Sequence, residues 1–262
     1  MIDTHCHLYL GQFDSDRDNV ILRAVKDGVQ RFLVPGIDVA TSKKSIDLSN
    51  KYSKYIFSAV GIHPNYSEDS NPDLILDLLN SQRDKIFAIG EIGLDFYRDY
   101  SPPDRQIEIF KRMLEFAKIF NLPICIHNRK ADFKLLEILD KWHMKRTLSP
   151  NSTRNGVFHA FDGSERVAEW GTAHGFYFGI GGAITYKKSV KMRNVVKMIG
   201  LNNLILETDA PYLSPVPFRG KRNDPQKLIY IVRTIADVFS CNVQKVINKT
   251  DENANRLFQF NK

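Results

Sequence analysis

The sequence predicts an α/β fold, a (β/α)8 TIM barrel in one domain over residues 1–262, with extra helices at its C-terminal end. Three observations carry the prediction. Apolar runs of strand length alternate with longer segments of helical period, and the pair recurs eight times. The strands are continuously apolar, as in a parallel sheet covered on both faces. No low-complexity tract, long linker or shift in composition divides the 262 residues, a length that such barrels reach undivided.

The first strand ends in His5 and His7, which alternation places on one face. A helix over 14–27 follows, with Val20, Ile21, Ala24 and Val25 in its apolar stripe and Gly28 as its stop. A strand at 31–34, a helix at 38–52 and a strand at 55–60 come next, the last running into Gly61-Ile62-His63-Pro64. The helix over 72–83 carries Leu74, Ile75, Leu78 and Leu79, and the strand at 85–91 stops at Glu91. The longest helix, 103–120, turns Ile107, Phe110, Leu114 and Ala117 inward. A strand at 122–127 ends on His127 and leads to a helix at 131–142; residues 146–155, rich in Ser, Thr, Pro and Asn, read as a surface loop. The sixth strand, 156–159, ends on His159. Beyond it lie a helix at 164–174, a strand at 176–181, a basic helix at 187–199 and a strand at 203–209 ending on Asp209. Residues 210–223, with Pro211, Pro215, Pro217 and Gly220, form a long loop over the barrel mouth. Helices at 224–238, 242–248 and 252–258 complete the chain.

Composition narrows the class. A hydrophobic content of 43% suits a soluble globular protein with a sizeable core. No apolar run approaches the roughly 20 residues of a membrane span, and no signal-peptide pattern precedes Asp3, so no membrane association is expected and the cytosol is the default compartment. Cys6, Cys125 and Cys241 are odd in number and have no CxxC spacing, so neither a disulfide framework nor a zinc ribbon is suggested; Cys6 and Cys125 read as buried strand residues. A net charge of +7 favours polyanionic partners, though diffusely. A monomer is the default expectation.

Barrels of this type collect their chemistry at the C-terminal ends of the strands. Those ends supply His5, His7, His63, Glu91, His127, His159 and Asp209. A single strand-end histidine is more often a loop hydrogen-bond partner than a ligand; convergence of several on one rim reverses that reading. Nitrogen and carboxylate donors without cysteine suit zinc, manganese or magnesium, and there are enough for two divalent ions. His143 and His174 fall on or after helices and read as ordinary surface residues. Glu207 shares parity with Asp209, so it is either a ligand or a structural partner of a basic neighbour; Asp3 shares parity with His5 and His7 but lies deeper, where a hydrogen bond in the barrel interior is expected.

The segments Asp3-Thr4-His5-Cys6-His7, Gly90-Glu91-Ile92-Gly93-Leu94-Asp95, His159-Ala160-Phe161-Asp162-Gly163, Leu206-Glu207-Thr208-Asp209-Ala210-Pro211 and Pro217-Phe218-Arg219-Gly220-Lys221-Arg222-Asn223 together resemble the TatD-type metal-dependent deoxyribonucleases of the amidohydrolase superfamily. The resemblance spans nearly the whole chain. It implies that His5, His7 and Asp209 hold one ion, and that Glu91 bridges to a second held by His127 and His159. Asp209 would be the general base, with DNA, including single-stranded 3′ ends, as substrate. His63, Arg129, Arg219 and Arg222, with Lys221, are candidate phosphate contacts. The basic helix bearing Lys187, Lys188, Lys191, Arg193 and Lys197 reads instead as a solvated outer face. Asn65, Lys130 and Asp162 depart from the commoner family pattern without removing a ligand, and they bear on substrate preference. An ester, lactone or aminoacyl-tRNA hydrolase on the same site is the first alternative, and a non-catalytic nucleic-acid-binding barrel the second.

Overall fold

In the computed structural model of the chain, which describes residues 1–145 and 155–260, eight strands hydrogen-bond in parallel and in sequence order. They are β1 (Ile2–Asp3), β2 (Arg31–Pro35), β3 (Ile56–Val60), β4 (Ile86–Asp95), β5 (Ile124–Arg129), β6 (Gly156–Phe158), β7 (Tyr177–Ile180) and β8 (Leu204–Leu206). The helices between and after them are α1 (Arg17–Lys26), α2 (Val39–Lys51), α3 (Asp73–Ser81), α4 (Pro103–Ile119), α5 (Asp132–Lys145), α6 (Glu165–Ala173), α7 (Val190–Ile199), α8 (Leu228–Phe239) and α9 (Val243–Phe258). The extensions of β8 and β1 close the barrel. Thr4 N–H donates to Leu206 O at 2.9 Å, Asp209 N–H to His5 O at 2.8 Å and His7 N–H to Ala210 O at 2.7 Å.

Local chemistry explains the element ends. Asp38 caps α2 by accepting from Thr41 N–H at 2.7 Å, while the Thr41 hydroxyl accepts from Asp38 N–H at 3.0 Å, a reciprocal capping box. Ser164 and Asn242 cap α6 and α9 in the same sense. Several expected boundaries differ: β1 and β8 stop at Asp3 and Leu206, short of the expected His7 and Asp209, and α8 starts at Leu228 instead of residue 224. The fourth strand continues past Glu91 to Asp95, because residues 92–95 pair with 126–129 of β5. The two helices expected at 242–248 and 252–258 are one, α9; no glycine or proline interrupts residues 249–251, and Thr250 stays on the helix by donating to Val246 O. The basic helix starts at Val190, after a single turn over Gly182–Thr185. Of the loop expected at 146–155, residues 146–154 lie outside the described residues.

The core has two layers. The larger fills the space between strands and helices. The smaller lies inside the barrel and takes one residue from every strand: Ile2, Leu33, Ala59, Ala88, Cys125, Val157, Tyr177 and Ile205. The end of α9 stops it from below with Ala254, Leu257, Phe258 and Phe260, and the Phe260 ring lies 4.6 Å from Phe57 and 5.9 Å from Phe87. Cys6 and Cys125 are fully buried, as expected. This plug sets the height of everything above it. Two residues beyond it on β5, β6 and β8 stand His127, His159 and Glu207, which alternation returns to the inside of the barrel. On β1 and β4 the step is three, from Ile2 to His5 and from Ala88 to Glu91, and β4 shifts register between Ile89 and Ile92.

If the α9 end is the floor of the barrel, Phe258→Ala removes a fully buried ring. It should destabilise the fold by about 3–5 kcal/mol, read as a lowered guanidinium midpoint.

Candidate metal centre at the barrel mouth

Glu91 stands at the centre of the mouth, 3% exposed. A Cβ on Gly61 would lie 2.8 Å from the Gly90 carbonyl carbon, so glycine is what lets β3 back onto the segment that carries Glu91. The two carboxylate oxygens face different imidazoles. Oε2 lies 3.2 Å from His5 Nε2 and 3.7 Å from His7 Nε2. Oε1 lies 2.9 Å from His127 Nδ1, 3.4 Å from His63 Nε2 and 3.8 Å from His159 Nε2. Asp209 Oδ1 approaches the same cluster, 3.4 Å from His7 Nε2 and 3.9 Å from His159 Nε2. Asp209 holds φ of +56°, a left-handed conformation unfavourable for a non-glycine residue, fixed here by its N–H bond to His5 O.

Outer contacts aim these rings. His159 Nδ1 lies 3.0 Å from Glu207 Oε1, which also accepts from Ala160 N–H at 2.7 Å. Glu207 fits there because residue 179 is glycine; a Cβ would meet its Oε2 at 2.1 Å. His7 Nδ1 is 2.9 Å from the Tyr9 hydroxyl, and His63 Nδ1 accepts from Asn65 N–H at 3.1 Å. His127 Nε2 is 3.3 Å from Asp95 Oδ2, while Asp95 Oδ1 accepts from Tyr97 and Arg98 N–H, each at 3.0 Å. In His7, His127 and His159, one nitrogen thus has a partner on the outer side and the other points inward, as in the ligating histidines of metal sites. His63 differs: its Nδ1 accepts, so Nε2 carries the proton and faces Glu91 Oε1 as a donor.

The charges are interdependent. Burial raises the Glu91 carboxyl, but the charges of His63 and His159 and the bonds to His127 and His5 hold it well below the usual carboxylate range. Burial likewise opposes Asp209, and contact with His7 and the charge of His159 prevail, so it too stays ionised. Burial and the neighbouring His127 push His63 down to about 3, and burial with His159 lowers His5. Burial lowers His159 as well, but Glu207 and Glu91 carry it up to about 10. Burial raises Asp95, and the His127 contact with the Arg98 N–H outweighs it, leaving it at about 2.

Three donor groups come within reach of a single ion: His5, His159 and Asp209; His5, His7 and Glu91; His63, Glu91 and His127. The donor atoms of each group lie within 4.8 Å of one another. The residues fit divalent cations on two counts. His5 Nε2 and His7 Nε2 face each other at 3.3 Å, and the buried carboxylates of Glu91 and Asp209 meet imidazoles alone in the contacts above. A cation between them replaces nitrogen–nitrogen contact with ligation and neutralises buried negative charge.

The structure therefore gathers His5, His7, Glu91, His127, His159 and Asp209, and adds His63, expected at the rim without a metal partner. Glu207 takes the partner position beside His159. Asp3 makes its buried bonds sideways, accepting from Thr208 N–H at 2.9 Å and the Thr208 hydroxyl at 2.6 Å. The arginines are dispersed. Arg129 lies over the Tyr97 ring at 4.0 Å and Arg219 over Tyr186 at 4.6 Å. The Arg222 guanidinium is engaged by both Asp16 oxygens, at 2.9 and 2.6 Å, and by Gln12 O. Lys187, Lys188, Lys191 and Lys197 are exposed, whereas Arg193 ties down the preceding turn through Ile184 O and Tyr186 O. His143 and His174 are half-buried instead of on the open surface, because His174 stacks on Trp170 at 4.1 Å and His143 meets its edge. Sequence reasoning gave Asp95 no role. Its signal was the four-residue spacing from Glu91, hidden by the strand that was expected to stop there.

Imidazoles and carboxylates converging at the strand ends of a (β/α)8 barrel define a metal-dependent hydrolase. Residues 2–259 match the sequence model of the TatD related DNase family. The chain is 38% identical over 262 residues, all of both chains, to the uncharacterized metal-dependent hydrolase YabD of Bacillus subtilis (strain 168). It is 33% identical over 267 residues to the 3′-5′ ssDNA/RNA exonuclease TatD of Salmonella typhimurium, covering 99% of each chain. The crystal structure of YjjV, a TatD homologue from Escherichia coli, superposes with a TM-score of 0.90 at 29% identity, over 99% of this chain and 98% of that one. The chain belongs to the TatD related DNase family, and its enzyme class is hydrolase.

Two predictions follow from the outer contacts. If Asp95 orients His127, Asp95→Ala should weaken binding of a divalent ion about 10- to 100-fold, read by calorimetric titration of metal-stripped protein. The Arg222 contact holds the Asp16 carboxyl below its ordinary value. A depressed carboxylate adds stability above its unfolded pKa near 4 and loses it as pH falls through the folded value. Arg222→Ala should therefore cost up to about 1 kcal/mol at pH 7, given solvent screening, and less in strong acid, where the contact with Gln12 O remains and the Asp16 charge is gone; urea melts at both pH values measure it.

Proposed function

We propose that the protein is a metal-dependent nuclease that hydrolyses DNA phosphodiester bonds, working from 3′ ends, with two divalent ions at the barrel mouth. The observation that carries this reading is the division of Glu91, one oxygen toward His5 and His7 and the other toward His127, His63 and His159. A carboxylate so placed suits a bridge between two cations. In this reading His5, His7 and Asp209 hold one ion, and Glu91, His127 and His159 the other, while His63, whose Nδ1 accepts from Asn65 N–H, offers its Nε2–H to the substrate phosphate. Magnesium, manganese and zinc all accept such donors.

When bound, the cations supply Lewis acidity toward the phosphoryl oxygens and acidify water. The chain's own residues do the rest. Asp209, ionised at neutral pH and on the inner face, accepts the proton of the attacking water on a carboxylate oxygen. Arg129 and Arg219, whose guanidinium groups lie over the Tyr97 and Tyr186 rings, are the candidate phosphate contacts. The barrel below the site is plugged, so substrate and water enter from the mouth alone.

Chelator-stripped protein should lose nuclease activity and regain it on adding Mg, Mn or Zn. Elemental analysis should count two ions per chain in the wild type and one in Glu91→Ala; one ion in both overturns the bridging role. Asp209→Asn should cut turnover at least about 100-fold while retaining oligonucleotide binding, and unchanged turnover assigns the base elsewhere.

A further inference from the structure

Four tyrosines follow site residues at two or three positions: Tyr9 after His7, Tyr66 after His63, Tyr97 after Asp95 and Tyr212 after Asp209. Tyr9 is buried, with its hydroxyl at His7 Nδ1. The other three turn outward, Tyr66 49%, Tyr97 61% and Tyr212 50% exposed. Tight turns fix their positions. Tyr66 N–H donates to His63 O at 2.9 Å, Tyr97 N–H to Asp95 Oδ1 at 3.0 Å and Tyr212 N–H to Asp209 O at 2.7 Å. Their rings stay beside the centre: Tyr66 is 6.2 Å from the His63 ring and Tyr212 is 6.1 Å from the His7 ring. One face of Tyr97 carries the Arg129 guanidinium.

We propose that Tyr66, Tyr97 and Tyr212 are stacking platforms for unpaired nucleobases, which seat a single strand so that its phosphates pass over the metal centre. The proposal rests on the nuclease reading above. An aromatic ring held by its backbone and half-exposed beside the centre is what base stacking requires, and Tyr97 adds a guanidinium on one face of its ring. Arg129, Tyr97 and a base would form a three-layer stack in which the cation also meets the phosphodiester. Bases paired in a duplex are stacked on one another and offer no free face, so the device selects single-stranded nucleic acid by shape, independent of sequence.

The test pairs removal of the ring with removal of the base. Metal-loaded wild type and the single variants Tyr66→Ala, Tyr97→Ala and Tyr212→Ala are assayed on a short oligothymidylate and on the same oligonucleotide with abasic sites in its 3′-terminal positions. On the intact strand each variant should raise KM about 5- to 100-fold, with the effect on KM exceeding that on kcat, and Tyr→Phe should restore it. On the abasic strand, wild type should already show the raised KM and Tyr→Ala should add little. Equal KM for both strands in wild type, or equal losses in the variants on both, overturns the stacking proposal alone. A metal-loaded wild type that cleaves neither strand overturns the nuclease reading and the stacking proposal with it.

Discussion

The mouth of the barrel depends on one buried carboxylate placed among imidazoles. Isolated in the interior, an ionised glutamate is unstable and takes up a proton. Glu91 remains a carboxylate because histidines approach both its oxygens, and those histidines keep their inward orientation because glutamate, aspartate, tyrosine and backbone groups hold their far nitrogens. Each layer therefore presupposes the next. Removing an outer partner leaves a ring free to rotate, and the loss is felt first at Glu91, not where the change was made.

Much of the architecture was legible because barrel strands are buried on both faces and so differ in texture from the helices around them. The site was legible wherever alternation ran unbroken. From Cys125 to His127, Val157 to His159 and Ile205 through Glu207 to Asp209, counting by two leads from the hydrophobic plug to the polar rim. Where the backbone slips the count fails. The register shift in β4 hid the continuation to Asp95, and the three-residue step in β1 turned Asp3 aside to Thr208. Arg222 fell beyond reach for another reason. Its partner Asp16 is 206 residues away, and no local periodicity reports a contact of that separation.

The plug and the metal centre divide the barrel interior between stability and chemistry. The lower layer uses only apolar side chains and the end of α9, which lets the upper layer collect charge without forfeiting the core. It also constrains the direction of approach. With Phe258 and Phe260 below, the open approach is from the strand ends, where the loops after β3, β5, β6 and β8 leave the barrel.

The sequence resemblance singled out three positions just past β3, β5 and β6, Asn65, Lys130 and Asp162, and their structural roles differ. Asn65 contributes to His63 through its backbone N–H, which any residue but proline supplies, so the orientation of His63 survives the change of side chain. Asp162 accepts from Ser164 N–H at 3.0 Å and shapes the entry to α6, a local turn that leaves the metal donors untouched. Lys130 is exposed, in a left-handed backbone conformation directly after Arg129, and adds positive charge beside the Arg129–Tyr97 stack. Lys130 and Asp162 thus bring charges of opposite sign to the rim, and the charge of Lys130 acts on the Asp162 carboxyl. The cluster of imidazoles and carboxylates is thus placed by the strands, and these three side chains by the loops just past the strand ends.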